Sequence, residues 1–239
     1  MTRCFIPTYR LLLLSASLLW AFSLQAQHQE ERTLSDFNKI EFTGRGDLFL
    51  RQGGTPTLQI KTPDDIDQKR IITEVRDNTL VIEYDWDEDD WLDAAPKLEL
   101  HITYPELRGI EVTGLAHIES PDLIESDRFV LDVEGMGRID LALDVADLEI
   151  TSAGTTNINI SGKANEVRIL NNGTGTIDAF RLISQEADVE VNGTGTVRVN
   201  TTERLWAEAN GFGAEVKYRG EPKKTHFDKS GFASIKADY

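Results

Sequence analysis

Asn-Gly-Thr-Gly-Thr occurs twice in this chain, beginning at Asn172 and at Asn192, and each copy runs into a β-branched residue, Ile177 or Val197. The same outline returns, less sharply, from Gly44, Gly114, Gly135, Gly154 and Gly231, and with one extra residue from Gly211 to Val216. From Gly114 onward the leading glycines (114, 135, 154, 173, 193, 211, 231) lie 21, 19, 19, 20, 18 and 20 residues apart. A fixed period of this size identifies a stacked architecture, in which each unit buries its apolar face only against its neighbours.

Each column of the repeat has a physical reading. Asn172, Asn192 and Asn210 precede the leading glycine, and Asn-Gly suits a corner with positive φ. The next-but-one residue is small (Gly46, Ala116, Gly137, Thr156, Gly175, Gly195), which lets a neighbouring backbone come close. Four residues after the glycine stand Leu48, Ile118, Ile139, Ile158, Ile177, Val197 and Ile235. Leu50, Leu141, Ile160, Ala179, Val199 and Ala237 follow two positions later, with polar residues between. That is the period of a strand with one buried face. A second short strand precedes each corner, as in Ile110 and Val112 or Val189 and Val191, and polar bends such as Thr201-Thr202-Glu203-Arg204 separate the repeats. The pattern predicts an all-β fold, a single-stranded parallel β-helix (solenoid) with coils of about 20 residues. The leucine-rich-repeat frame is absent, and a propeller blade needs about twice this period. An antiparallel sandwich also accommodates short strands with frequent turns, but the regular glycine corners favour the solenoid.

The first 26 residues stand apart. Arg3 and Arg10 form a basic region, Leu11 to Leu24 an apolar core, and Ala26 a small residue before a cut at Gln27. Residues 1–26 therefore read as a secretory signal peptide. The apolar stretch falls short of the ~20 residues a membrane-spanning helix needs, so no transmembrane segment is expected in the mature chain. The single cysteine, Cys4, lies inside this leader, leaving no thiol chemistry and no disulfide for the exported domain. Removing the two leader arginines from 25 basic residues, against 41 acidic ones, gives a mature charge of −18. Such a surface repels nucleic acid and anionic membranes, so no nucleic-acid partner is expected.

The domain is expected over 33–239, with a less regular N-terminal part at 33–105 and regular coils over 106–239. Within the former, Thr62 and Pro63 read as the start of a short helix, and Asp77-Asn78 as the turn of a hairpin joining Ile71–Arg76 to Thr79–Tyr84.

Few residues suggest chemistry. The acidic loop 85–93, with Trp86 and Trp91, has the composition of a Ca²⁺ or sugar site. However, the EF-hand positions that need Gly and Glu are Asp90 and Pro96, and a solvated hairpin tip explains the loop better. Arg45-Gly46-Asp47 spells an adhesion tripeptide, yet all three positions fit the repeat's own columns. No Gly-x-Gly pair opens a helix, so none reads as a phosphate cradle. His28, His101, His117 and His226 are scattered over unrelated columns, and no nucleophile or metal motif is present. The column five after each glycine contains Glu119 and Asp140, which stacking would bring about 4.8 Å apart. This is the only place an acid pair could lie, and such a column is more often the wet side of a sheet. The reading is therefore no catalytic residues, no metal, no cofactor and an unknown binding site. A carbohydrate-active lyase or hydrolase on a parallel β-helix is the alternative.

The opening Phe37-Asn-Lys-Ile-Glu-Phe-Thr-Gly-Arg-Gly-Asp-Leu48 resembles the start of the putative auto-transporter adhesin, head GIN domain family. Ile71-Ile-Thr-Glu-Val-Arg-Asp-Asn-Thr-Leu-Val-Ile82, Ile102-Thr-Tyr-Pro-Glu-Leu-Arg-Gly-Ile-Glu-Val-Thr-Gly114 and the Gly-x-Gly coils follow in the same order. The resemblance implies an exported, β-helical, envelope-associated protein of Bacteroidetes-like bacteria, located in the periplasm, on the cell surface or outside the cell. It supplies no catalytic residues. Its partner would be an envelope protein or a glycan, and the open ends of a solenoid leave room for a dimer or trimer. The Ser152-Ala153 and Asn171-Asn172 corners and the acidic 85–93 loop depart from the family pattern.

Overall fold

The computed structural model describes residues 28–63, 68–85 and 96–238. Residues 1–26, where a signal peptide is expected, the positions following Pro63 and nearly all of the acidic 85–93 loop lie outside the described residues. The strands are β1 (His28–Thr33), β2 (Lys39–Gln52), β3 (Thr57–Thr62), β4 (Ile71–Arg76), β5 (Thr79–Tyr84) and β6 (Leu98–Tyr104). They continue with β7 (Gly109–Asn171), β8 (Thr174–Asn192), β9 (Thr194–Arg219) and β10 (Lys224–Ala237). All ten join one mostly parallel sheet, in the order β1-β3-β6-β2-β7-β8-β9-β10, with β5 on β2 and β4 on β5. Among the described residues the only helical turn is Gln68–Arg70, a single 3₁₀ turn.

Parallel pairing follows the repeat. Gly44 aligns with Gly114, Ile158 with Ile177, Ile177 with Val197, and Gly211 with Gly231. Residues 39–49 thus pair as a full repeat unit with 109–119. Between them, the chain from Gly53 to Arg108 makes the antiparallel β3 and β6, with β1 added outside, and the β4–β5 hairpin. At the hairpin turn Asp77 and Asn78 take φ of 49° and 60°, the pair of left-handed residues that a tight two-residue turn demands.

The inward columns are where alternation places them: Leu48, Ile118, Ile158, Ile177 and Val197 are fully buried, as are Val112, Val189 and Ala207 from the strands before the corners. Both sets belong to one apolar core. Side chains shrink along it, from Phe42, Phe129 and Leu131 to Ala187, Ala207, Ala209 and Ala214. Burial ends at β10, where Phe227 and Lys229 align with the buried Ala207 and Ala209 yet are themselves exposed.

The corners differ from expectation in one respect. Gly173 and Gly193 of the Asn-Gly-Thr-Gly-Thr copies are not among the positive-φ residues, whereas Gly114, Gly135, Gly154 and Gly175 are. Close approach is what all of them share: a Cβ on Gly135 would lie 2.0 Å from the Gly114 carbonyl oxygen, and one on Gly173 would lie 2.2 Å from that of Gly154. The asparagines serve a different purpose. Asn192 Nδ2 donates to Asn172 Oδ1 (3.2 Å) and Asn210 Nδ2 to Asn192 Oδ1 (3.3 Å), a side-chain ladder running with the stack. The extra residue after Gly211 is a bulge against β10. The bend at Thr201 is less wet than its polarity predicts: Thr201 is fully buried and its hydroxyl donates to the Gln185 carbonyl (2.9 Å). A buried hydroxyl is tolerated because that bond replaces the one lost to water.

Candidate functional site

Alternation in β2 buries Leu48 and Leu50 and turns Phe49 outward. Register then carries an outer row across the sheet in both directions. Phe49 aligns with His101 of β6, His101 with Gln59 of β3, and Gln59 with Glu31 of β1. On the other side Phe49 aligns with Glu119, and farther along Asn159 aligns with Asp178 and Asp178 with Arg198. Where the antiparallel strands meet the repeats, this row opens into a cleft of about 650 Å³ lined by Phe49, Arg51, Gln59, His101, Glu119 and Asp140 among others.

The Phe49 and His101 rings stack in the cleft, with centroids 4.8 Å apart and planes 20° from parallel. His101 Nε2 lies 2.7 Å from Glu99 Oε1, and Lys61 Nζ lies 2.6 Å from the same oxygen. These two hydrogen bonds, that of Lys61 first, hold the Glu99 carboxyl below its usual range. Asp140 is fixed similarly: Arg138 Nε donates to Oδ2 (2.6 Å) and Asn159 Nδ2 to Oδ1 (2.8 Å). The Arg138 bond is the main reason its carboxyl also lies below the ordinary value. Asp178 is paired with Arg198 (2.8 Å) and Glu215 with Lys217 and Lys236. Arg51, Gln59 and Glu119 differ. Their side chains have no hydrogen bond or ion pair among the described residues, although all three line one cleft.

Glu119 and Asp140, the acid pair of the sequence reading, thus do share a cleft. The contribution of His101, Gln59 and Arg51 went unrecognised, because it depends on which edge of β2 the inserted strands occupy. No local pattern in the sequence encodes that choice. The adhesion tripeptide is part of the scaffold: Arg45 aligns with Leu115, a Cβ on Gly46 would lie 2.9 Å from the Leu98 carbonyl oxygen, and Asp47 pairs with Lys97 (2.6 Å). Of the other histidines, His226 packs on Trp206 with centroids 4.2 Å apart. Among the described residues no three His, Cys, Asp or Glu side chains are grouped to hold a metal ion. Elsewhere Glu41 aligns with Glu111, and both line a shallow depression with Asp132 and Lys39. Loss of hydration, then repulsion from Glu41, Asp132 and Glu134, pushes the carboxyl of the exposed Glu111 up, and partial burial followed by Glu134 does the same for Asp132. No helix among the described residues is long and apolar enough to cross a membrane.

These features define a repeat-built, all-β protein with a polar cleft on the outer side of its sheet. The chain belongs to the family described as putative auto-transporter adhesin, head GIN domain, whose model matches residues 36–222. It is similar to a structure of a putative adhesin from Bacteroides fragilis, with 26% identity and a TM-score of 0.80 over 88% of this chain and 96% of that one. A putative lipid-binding protein from Parabacteroides distasonis shares the fold at 18% identity and TM-score 0.66, covering 89% of this chain and 96% of its own. So does a putative adhesin from Parabacteroides merdae, at 18% identity, TM-score 0.61 and the same coverage. No curated protein matches.

Proposed function

We propose that this is an exported, non-catalytic, adhesin-like protein of the cell envelope that binds through the outer face of a β-helical solenoid. Family membership supports the adhesin-like role. The solenoid reading is supported by the parallel register at intervals of 17–20 residues and by the glycines that bring each corner against the one before. In this reading residues 1–26 are the export leader and 33–239 the binding domain.

The observation that carries the non-catalytic reading is the state of Asp140. Hydrolysis of a glycosidic bond by paired carboxyls needs one of them to keep its proton near neutrality. Asp140 could serve only as the unprotonated partner, and each of its carboxylate oxygens is already taken up by a donor, Arg138 Nε on Oδ2 and Asn159 Nδ2 on Oδ1, rather than aimed at a substrate. The competing reading, a carbohydrate-active enzyme, is favoured only by Glu119 and Asp140 lining the same cleft. Incubating the purified protein with envelope and plant polysaccharides separates the two. The expected result is retention of polymer without released products. Turnover that disappears in a Glu119→Gln/Asp140→Asn double variant would overturn the non-catalytic role. Export is tested separately by fractionating the producing cells, and a cytoplasmic protein of full length would refute it.

A further inference from the structure

We infer that the Phe49–His101 cleft is a glycan-binding subsite that takes a neutral pyranose unit of a longer chain. This deepens the binding role proposed above and rests on it. The argument begins with the aromatic pair. His101 covers one face of the Phe49 ring, and the other face lies on the β7 side, where Glu119 is the register partner. A half-buried aromatic face beside hydroxyl-seeking groups suits a sugar ring, whose C–H face is apolar and whose rim is polar.

The second observation is the set of groups left without hydrogen bonds or ion pairs. The neighbouring carboxylates are already engaged: Glu99 by Lys61 and His101, Asp140 by Arg138 and Asn159, Asp178 by Arg198. Arg51, Gln59, Glu31 and Glu119 are not, and they line the cleft around the aromatic pair with N–H donors, an amide carrying both functions and two carboxylate acceptors. A sugar hydroxyl both donates and accepts, so vicinal hydroxyls can satisfy such a mixed set without bringing a charge. A strongly charged ligand fits less well. An anion would face Glu119 and Asp140, in a chain whose formal net charge is −16. A cation would meet Glu31 and Glu119 but also the Arg51 guanidinium, and Asp140 is already engaged by Arg138 and Asn159. The cleft lies along the sheet surface and is open to solvent, a form that admits an internal unit of a chain as readily as its end.

The test is calorimetric titration of the full chain with a panel of neutral hexasaccharides: cello-, malto-, manno-, xylo- and chito-oligosaccharides. Binding of at least one is expected. Phe49→Ala should weaken it by about tenfold, the equivalent of ~1.4 kcal/mol. Glu119→Gln, an exposed and nearly isosteric change, should weaken it with an unaltered melting temperature, which guards against a folding defect in the Phe49 variant. Phe232→Ala, at the exposed Phe212–Phe232 pair on the far edge, should leave binding unchanged. Binding that Phe232→Ala abolishes while Phe49→Ala and Glu119→Gln spare it would overturn the assignment to this cleft, leaving the adhesin-like role intact. A panel with no binding at all would overturn the ligand class and move the search to an envelope protein. Product release from any member would instead overturn the non-catalytic role itself.

Discussion

Gly135→Ala isolates the device that lets the repeats stack. A Cβ at this position would lie 2.0 Å from the Gly114 carbonyl oxygen, 2.9 Å from its carbon and 3.0 Å from its nitrogen. None of these atoms can swing aside, because all belong to the backbone of the preceding corner. The residue also has φ of 131°, a region essentially closed to residues with a side chain. Conformational strain alone costs about 1–3 kcal/mol. Relieving the clash requires the two corners to part by roughly 1 Å, which lengthens the adjacent backbone hydrogen bonds at a net ~1 kcal/mol each. The combined destabilisation is about 3–5 kcal/mol, at the upper end of single-site effects. For a domain of this size each kcal/mol shifts Tm by about 2–4 °C, so a drop of roughly 6–20 °C is expected in thermal unfolding followed by circular dichroism. Gly54→Ala is the matched control, since a Cβ there meets nothing within 4 Å and its φ is ordinary; its stability should change by less than ~0.5 kcal/mol. Equal melting temperatures for the two variants would refute the close-approach account of the glycine columns.

Three further outcomes are expected. Ile177→Asp should leave no folded protein, because it replaces a fully buried side chain with an unpaired carboxylate; a soluble β-rich variant with unchanged Tm would show that the inward column is misassigned. Glu111→Gln should raise Tm at neutral pH: the folded pKa is raised, so the parent has this group's full stability only below its ordinary value of 4.5 and loses it as pH rises through the folded value. The gain of the variant over the parent should therefore vanish in acid, and a gain independent of pH would exclude the electrostatic cause. Asp140→Asn has the opposite sign: its folded pKa is depressed, so the stability it contributes is present above 3.8 and lost as pH falls through the folded value. The variant should melt below the parent at neutral pH and converge with it in acid, and an unchanged neutral Tm would show that the Arg138 and Asn159 bonds contribute nothing.

Much of this protein is legible without coordinates because its contacts repeat. In the regular coils each strand pairs with the one about twenty residues away, so the period, the alternation around Ile158, Ile177 and Val197, and the small residues at Gly137 and Gly175 all report local necessities. The sequence by itself determined the all-β class, the inward columns, the Asp77-Asn78 hairpin and the shared column of Phe49, Glu119 and Asp140. It misjudged the φ of Gly173 and Gly193, where a neighbour's backbone, absent from any single-strand reading, sets the outcome. Only the tertiary structure decided the cleft. His101 reaches Phe49, and Gln59 stands beside His101, because β6 pairs with the free edge of β2 and β3 pairs with β6. That choice depends on which strand edges remain unsatisfied once the repeats have stacked, and strand edges are chemically alike in every sequence, so composition and spacing do not record it.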